Sequence, residues 1–176
     1  MRQPFNPSFN PFPGLRPFQV EEEYLFFGRE TQRRQLIDLL RTHRFVAVLG
    51  VSGSGKSSLV RAGLVPGLYG GAMSGAGSHW HIAIMRPGGT PIKNLAAALK
   101  DLDLWTTQEP PSLLELETTL SRSSLGLAEA VRQARTLKNE NLLIVVDQFE
   151  ELFRFNQSQA ERTSRAVRLM LCGRPT

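Results

Sequence analysis

The sequence is short of several things, and each shortage excludes a class of protein. Its 176 residues hold one cysteine, Cys172, so no internal disulfide can form and a reducing cytoplasm is the expected setting. Long hydrophobic runs are missing too. The longest purely aliphatic stretch, "LLIVV" before Asp147, falls far below the roughly 20 apolar residues a membrane helix needs. The opening "MRQPFNPSFNPFPG" is broken by prolines and lacks an apolar h-region, so it does not read as a secretory signal. Acidic residues are absent from Arg44 to Lys100, a stretch carrying six Lys or Arg. From Asp101 onward there are nine basic and eleven acidic residues. The acid-free stretch is either a solvated surface or the surroundings of an anionic ligand. Net charge is +5 and the pI about 10.0, yet no dense Lys/Arg run marks a nucleic-acid patch. No internal repeat is present.

What is there reads as one α/β domain, because 41% hydrophobic and 21% charged residues suit an ordinary globular core. Residues 1–27 form an extended arm and lead-in, with Phe5, Phe9, Phe12 and Phe18 available to lie on a neighbouring surface. "EEEYLFFGRE" predicts a short helical turn and then a glycine turn, and Glu30 to Thr42 an amphipathic helix. "FVAVL" is expected as a buried strand, followed by a helix from Lys56 to about Leu64 that ends near Pro66 and Gly67. A second strand, "WHIAIMR", precedes helices at Pro91 to Leu102, Ser112 to Arg122 and Leu127 to Lys138. "NLLIVVD" is the third strand and "QFEELFRF" opens a last helix. Strands separated by helices indicate a parallel sheet.

Between the first strand and its helix, Gly50-Val51-Ser52-Gly53-Ser54-Gly55-Lys56-Ser57 fits G-x-x-x-x-G-K-[ST] at every fixed position. Glycines permit positive φ and close approach, so backbone N–H groups can ring a phosphate. Lys56 is placed to reach the β- and γ-phosphates, the Ser57 hydroxyl to ligate Mg²⁺, and Ser58 to close the site at the helix start. Far along the chain, the aliphatic run ending in Asp147 is what the metal-holding strand of a P-loop nucleotidase requires. Glu150 and Glu151 follow within one helical turn, and either could orient or deprotonate water. The motifs D-x-x-G and [NT]-K-x-D of Ras-like GTPases are absent, which favours ATP.

Taken in order, "NPFPGLRPF", "FFGRE", "VLGVSGSGKSSLVRAGLVPGL", "MRPGGTP" and "IVVDQFEELF" resemble the novel STAND NTPases, signal-transduction P-loop ATPases often linked to WD-type repeats. The resemblance covers Asn10 to Phe155. It implies a three-layer P-loop sandwich over residues 28–176, with Gly28, Arg29 and Glu30 on the adenosine side of the pocket and Asp147 on the metal. In such switches ATP and ADP are the small-molecule partners, and self-association or downstream repeat and effector modules read the state. Family members continue into a fourth core strand with a polar or arginine sensor and then a helical lid. Here only Leu169 to Cys172 resembles the start of such a strand, so the core reads as truncated.

The expected function is therefore a cytoplasmic, ATP-binding, slowly hydrolysing switch module. The alternatives are a nucleotide-binding fragment without hydrolysis and, resting on the basic pI alone, a nucleic-acid-dependent ATPase. Arg86 reads either as a surface charge at a strand end or as a residue near the γ-phosphate. His79 and His81 read as a partly exposed polar face, His43 as a helix terminus and Cys172 as inert.

Overall fold

The computed structural model describes residues 11–73, 75–105, 109–134 and 140–154. Phe5, Phe9, Cys172 and the run from Leu169 lie outside them. The chain divides into two compact units, Met1–Ser78 and His79–Thr176, and each is described by itself.

In the first unit a 3-10 turn, Val20–Leu25, leads through Gly28 (φ 79°) into α1, Glu30–Thr42. Glu22 closes the start of the turn by accepting the Gln19 N–H, and Arg16 grips the same carboxylate through two nitrogens at 2.5 and 2.7 Å. Helix α1 buries Leu36 and Ile37 but leaves Leu39 43% exposed, so its apolar stripe is narrower than its sequence suggests. His43 caps it, donating its N–H to the Leu39 carbonyl. Of the arm's phenylalanines, Phe18 packs edge-on against Phe26 at 5.8 Å, whereas Phe12 is 78% exposed.

Residues 45–49 depart from expectation. They take no regular secondary structure and join no ladder, with Phe45 and Leu49 exposed and Val46 and Val48 half-buried. A run of this kind becomes a buried strand only when neighbouring strands take up its N–H and C=O groups. Among the described residues the sheet has two strands, and residues 45–49 are in neither.

The helix after the phosphate loop is also longer than predicted. It runs as α2 (Lys56–Ser58), a π-helical segment (Leu59–Leu64) and α3 (Val65–Tyr69), passing through Pro66 and Gly67. Proline lacks an N–H and its ring crowds the carbonyl four residues back. The widened turn before it moves the hydrogen bonding to five-residue spacing, with Val65 N–H on Val60 C=O. Leu59, Ala62, Leu64, Val65 and Leu68 are buried along this rod.

The second unit holds β1 (Trp80–Met85), α4 (Pro91–Lys100), α5 (Leu113–Arg122), α6 (Gly126–Gln133), β2 (Asn141–Val146) and α7 (Glu151–Arg154). The strands are parallel, paired from Trp80–Asn141 through Met85–Val146. The link between parallel strands must cross over, and among the described residues three helices lie in that crossover. Helix α5 begins with a capping box: Ser112 Oγ accepts the Glu115 N–H while Glu115 accepts the Ser112 N–H. Those hydrogen bonds hold the Glu115 carboxyl below the usual carboxylate range. Ala83 and Met85 on β1 join Leu95, Leu99, Leu116 and Leu120 in one core, with Leu142, Ile144 and Val146 packed against it. Strand β2 is half-buried throughout.

Candidate functional site

Local backbone chemistry shapes the loop at residues 50–55. Gly53 and Gly55 take φ of 77° and 82°, a left-handed geometry that strains any other L-residue. A Cβ at either would meet nothing within 4 Å, so conformation and not space demands glycine there. At Gly50 space decides: a Cβ would lie 2.9 Å from Ser54 Oγ. Val51, Ser52 and Gly53 are exposed, and Ser54 N–H donates to Val51 C=O across the turn. The Lys56 side chain folds back, its Nζ donating to the carbonyls of Gly50 (2.8 Å) and Val51 (3.0 Å). An ammonium is thus held against the loop by the loop's own carbonyls, a cation placed where a phosphate chain would need one.

The lead-in element touches this loop. Arg29 donates to the Ser54 carbonyl at 3.1 Å, and Glu30 accepts the Gly28 N–H at 3.0 Å. Glu30's own N–H, then that of Gly28, hold its carboxyl below the ordinary range, with Arg33 adding a smaller push. Arg29 and Glu30 also line a cleft of about 560 Å³ with Tyr24, Phe26, Phe27 and Gly63. None of residues 50–58 lines it.

Two contacts here were not legible in the sequence. The Phe18 N–H donates to Ser58 Oγ at 3.1 Å, so this hydroxyl anchors the arm to the phosphate helix. Arg61 reaches Gln19 Oε1 at 3.1 Å and repeats that tie one turn later. Both join residues some 40 positions apart, beyond any local pattern.

In the second unit the acids stand at the carboxyl end of β2. Asp147 extends the ladder by one bond, N–H to the Met85 carbonyl at 2.8 Å, and its carboxylate keeps 10% exposure. Gln148 then takes φ 59°, which turns the chain sharply into α7. Leu152, fully buried, and the edge-on pair Phe149–Phe153 at 6.1 Å hold that helix in place.

The two glutamates differ. Glu151 accepts the Gly88 N–H at 3.0 Å from the turn after β1, while Glu150 is exposed, its carbonyl taking the Phe153 N–H at 3.1 Å and its side chain forming no hydrogen bond or ion pair among the described residues. Arg86 lies 3.6 Å from the Asp147 carboxylate. His81 pairs with Glu140 at 2.5 Å, tying the beginnings of the two strands together.

The donors fit the groups a P-loop would hold. Ser57 in the first unit offers a hydroxyl oxygen and Asp147 in the second a carboxylate, each a donor that a hard divalent cation accepts. The shielded Asp147 carboxylate already has a cation beside it in Arg86. No helix among the described residues is long and apolar enough to cross a membrane.

No curated protein and no solved structure matches the chain. The family model described as Novel STAND NTPase 1 matches residues 11–173, which take in the lead-in, the phosphate loop, both strands and the acids. On that match, with a parallel α/β sheet in the second unit, the chain belongs to the novel STAND NTPase 1 family.

Proposed function

We propose that the chain is the ATP-binding, Mg²⁺-dependent and slowly hydrolysing module of a STAND-type switch. The observation that carries this reading is the loop Gly50–Gly55, with its two left-handed glycines and the Lys56 ammonium folded over it at the start of the helical run 56–69. In this reading residues 28–176 belong to a three-layer P-loop sandwich and residues 1–27 form its lead-in. Gly50, Val51, Ser52, Gly53, Ser54 and Gly55 ring the phosphates by backbone N–H, Lys56 neutralises them, and Ser57 and Ser58 close the site. Gly28, Arg29 and Glu30 attend the nucleoside side. Arg29 has a physical reason to do so, since it already braces the loop at Ser54.

Ser57 and Asp147 would hold Mg²⁺, which when bound neutralises charge on the phosphoryl oxygens. We assign water activation to Glu150, because Glu151 is engaged by the Gly88 amide and Glu150 is not. Its role is to hold a water in line and take its proton. ATP and ADP states then differ in contacts, and those contacts bias self-association or the placing of effector modules. A single cysteine suits a cytoplasmic setting.

The test is ATP binding to the 176-residue chain in Mg²⁺, beside Lys56→Ala. Saturable binding lost in Lys56→Ala, with Glu150→Gln retaining binding and losing turnover, is the expected result. A chain folded by circular dichroism that binds no ATP overturns the proposal.

A further inference from the structure

The turn after β1 is built from both sides. Asn94 on α4 donates its Nδ2 to the carbonyls of Arg86 (3.2 Å) and Pro87 (2.9 Å). Pro87 is fully buried, and the Gly88 N–H is taken by Glu151. Arg86 therefore starts from a held backbone, and its Nε stands 3.6 Å from Asp147 Oδ2. The two partners differ in environment: the Arg86 side chain is 51% exposed, the Asp147 carboxylate 10%. A carboxylate so shielded from water is costly without a compensating positive charge. Yet 3.6 Å through Nε is longer than a charge-assisted hydrogen bond and lacks the two-pronged fork that makes Arg–carboxylate pairs strong. The Arg86 contact thus places a positive charge beside the carboxylate without a direct charge-assisted hydrogen bond from the guanidinium.

We propose that Arg86 is the resident counter-ion of Asp147 and gives up that place when Asp147 takes a divalent cation, so that Arg86 sets metal affinity by competing with the cation. Arg86 is then a positioning residue. It stands beside the carboxylate at the end of β2, and its half-exposed side chain has room to swing into solvent. Lysine at the same place would supply the charge, whereas glutamine would keep much of the length and remove the competitor. This inference rests on the reading of Asp147 as a metal-holding residue.

The experiment measures Mn²⁺ uptake by the full chain, counting free Mn²⁺ by electron paramagnetic resonance, with and without ADP. Variants are Arg86→Gln, Arg86→Lys and Asp147→Asn, each checked for folding by circular dichroism. The competition predicts binding about two- to fivefold tighter in Arg86→Gln, the scale set by a half-exposed ion pair, and near wild type in Arg86→Lys. Asp147→Asn should lose the site. Equal uptake by wild type and Arg86→Gln, at any level including none, overturns the inference, and so does weaker uptake in Arg86→Gln. If Asp147→Asn binds Mn²⁺ as wild type does, the reading of Asp147 falls and this inference falls with it. If Asp147 is required and Arg86→Gln changes nothing, the inference alone falls.

Discussion

The two units hold their functional residues by different means. In the second, Asp147 ends a strand that is paired residue for residue with β1 and packed on a core of Leu95, Leu99, Leu116 and Leu120. In the first, the glycine loop follows a segment that joins no ladder, and what shapes it is local: glycine dihedrals, the Lys56 fold-back and the helix that begins there. One set of groups is positioned by packing, the other by backbone chemistry. Packing therefore carries more of the stability in the second unit, and loop geometry in the first survives changes that would unmake a sheet.

Core truncation tests this contrast most severely. Leu120 is fully buried while Leu49 is 89% exposed. Leu120→Ala should cost about 2–5 kcal/mol in urea unfolding, and Leu49→Ala no more than about 0.5 kcal/mol. A Leu49→Ala cost near 2 kcal/mol would break the comparison by showing that residues 45–49 are packed.

Two buried glycines sharpen it further. A Cβ at Gly126 would run into the backbone of Thr119 and Leu120 on α5, with Leu120 Cα only 2.9 Å away. Gly126→Ala must push α5 and α6 apart, for a loss of about 1–3 kcal/mol. At Gly63 the nearest atoms are Leu59 Cδ1 at 3.4 Å and Phe26 Cε1 at 3.5 Å, ordinary contact distances in a helix interior. Gly63→Ala should raise stability by about 0.5–1 kcal/mol through the lost flexibility of the unfolded chain. Thermal unfolding of the two variants should move in opposite directions.

The smallest effect is electrostatic and belongs to the first unit. The Arg16 guanidinium hydrogen-bonded to Glu22, together with the Gln19 N–H, holds the Glu22 carboxyl at about 2. A depressed carboxyl favours the folded state fully above the ordinary glutamate pKa of about 4.3. That contribution fades as the pH falls toward about 2. Carboxyl carbon shifts followed by NMR should place the midpoint there, and Arg16→Ala should raise it toward the ordinary value. An unmoved midpoint would show that Arg16 does not hold Glu22 in solution.

Much of this was legible in the chain itself. Helix α1 runs from Glu30 to Thr42 as its apolar spacing predicts, and β1, β2 and the crossover helices begin within a few residues of where they were expected, while the expected end of the third crossover helix at Lys138 lies outside the described residues. What failed was whatever depended on a neighbour. "FVAVL" has the composition of a buried strand, but composition cannot supply the adjacent strand. Pro66 looked like a stop because a local rule says so, and a π turn upstream removed the conflict. Phe12 looked like a core cover and is exposed.

By itself, then, the sequence determined the elements and the chemistry available: a loop whose glycines admit left-handed dihedrals, a lysine at the helix start, and a strand ending in an acid. Such features need only residues close in the chain, and spacing is enough to specify them. Only the tertiary structure decided which partners those groups meet. It set Arg86 beside Asp147, gave Glu151 to the Gly88 amide, left Glu150 in solvent, and brought Phe18 to Ser58. Each of those contacts but Glu150's exposure joins residues 40 or more positions apart. It forms only after loop-closure entropy has been overcome by packing elsewhere, which no local pattern encodes.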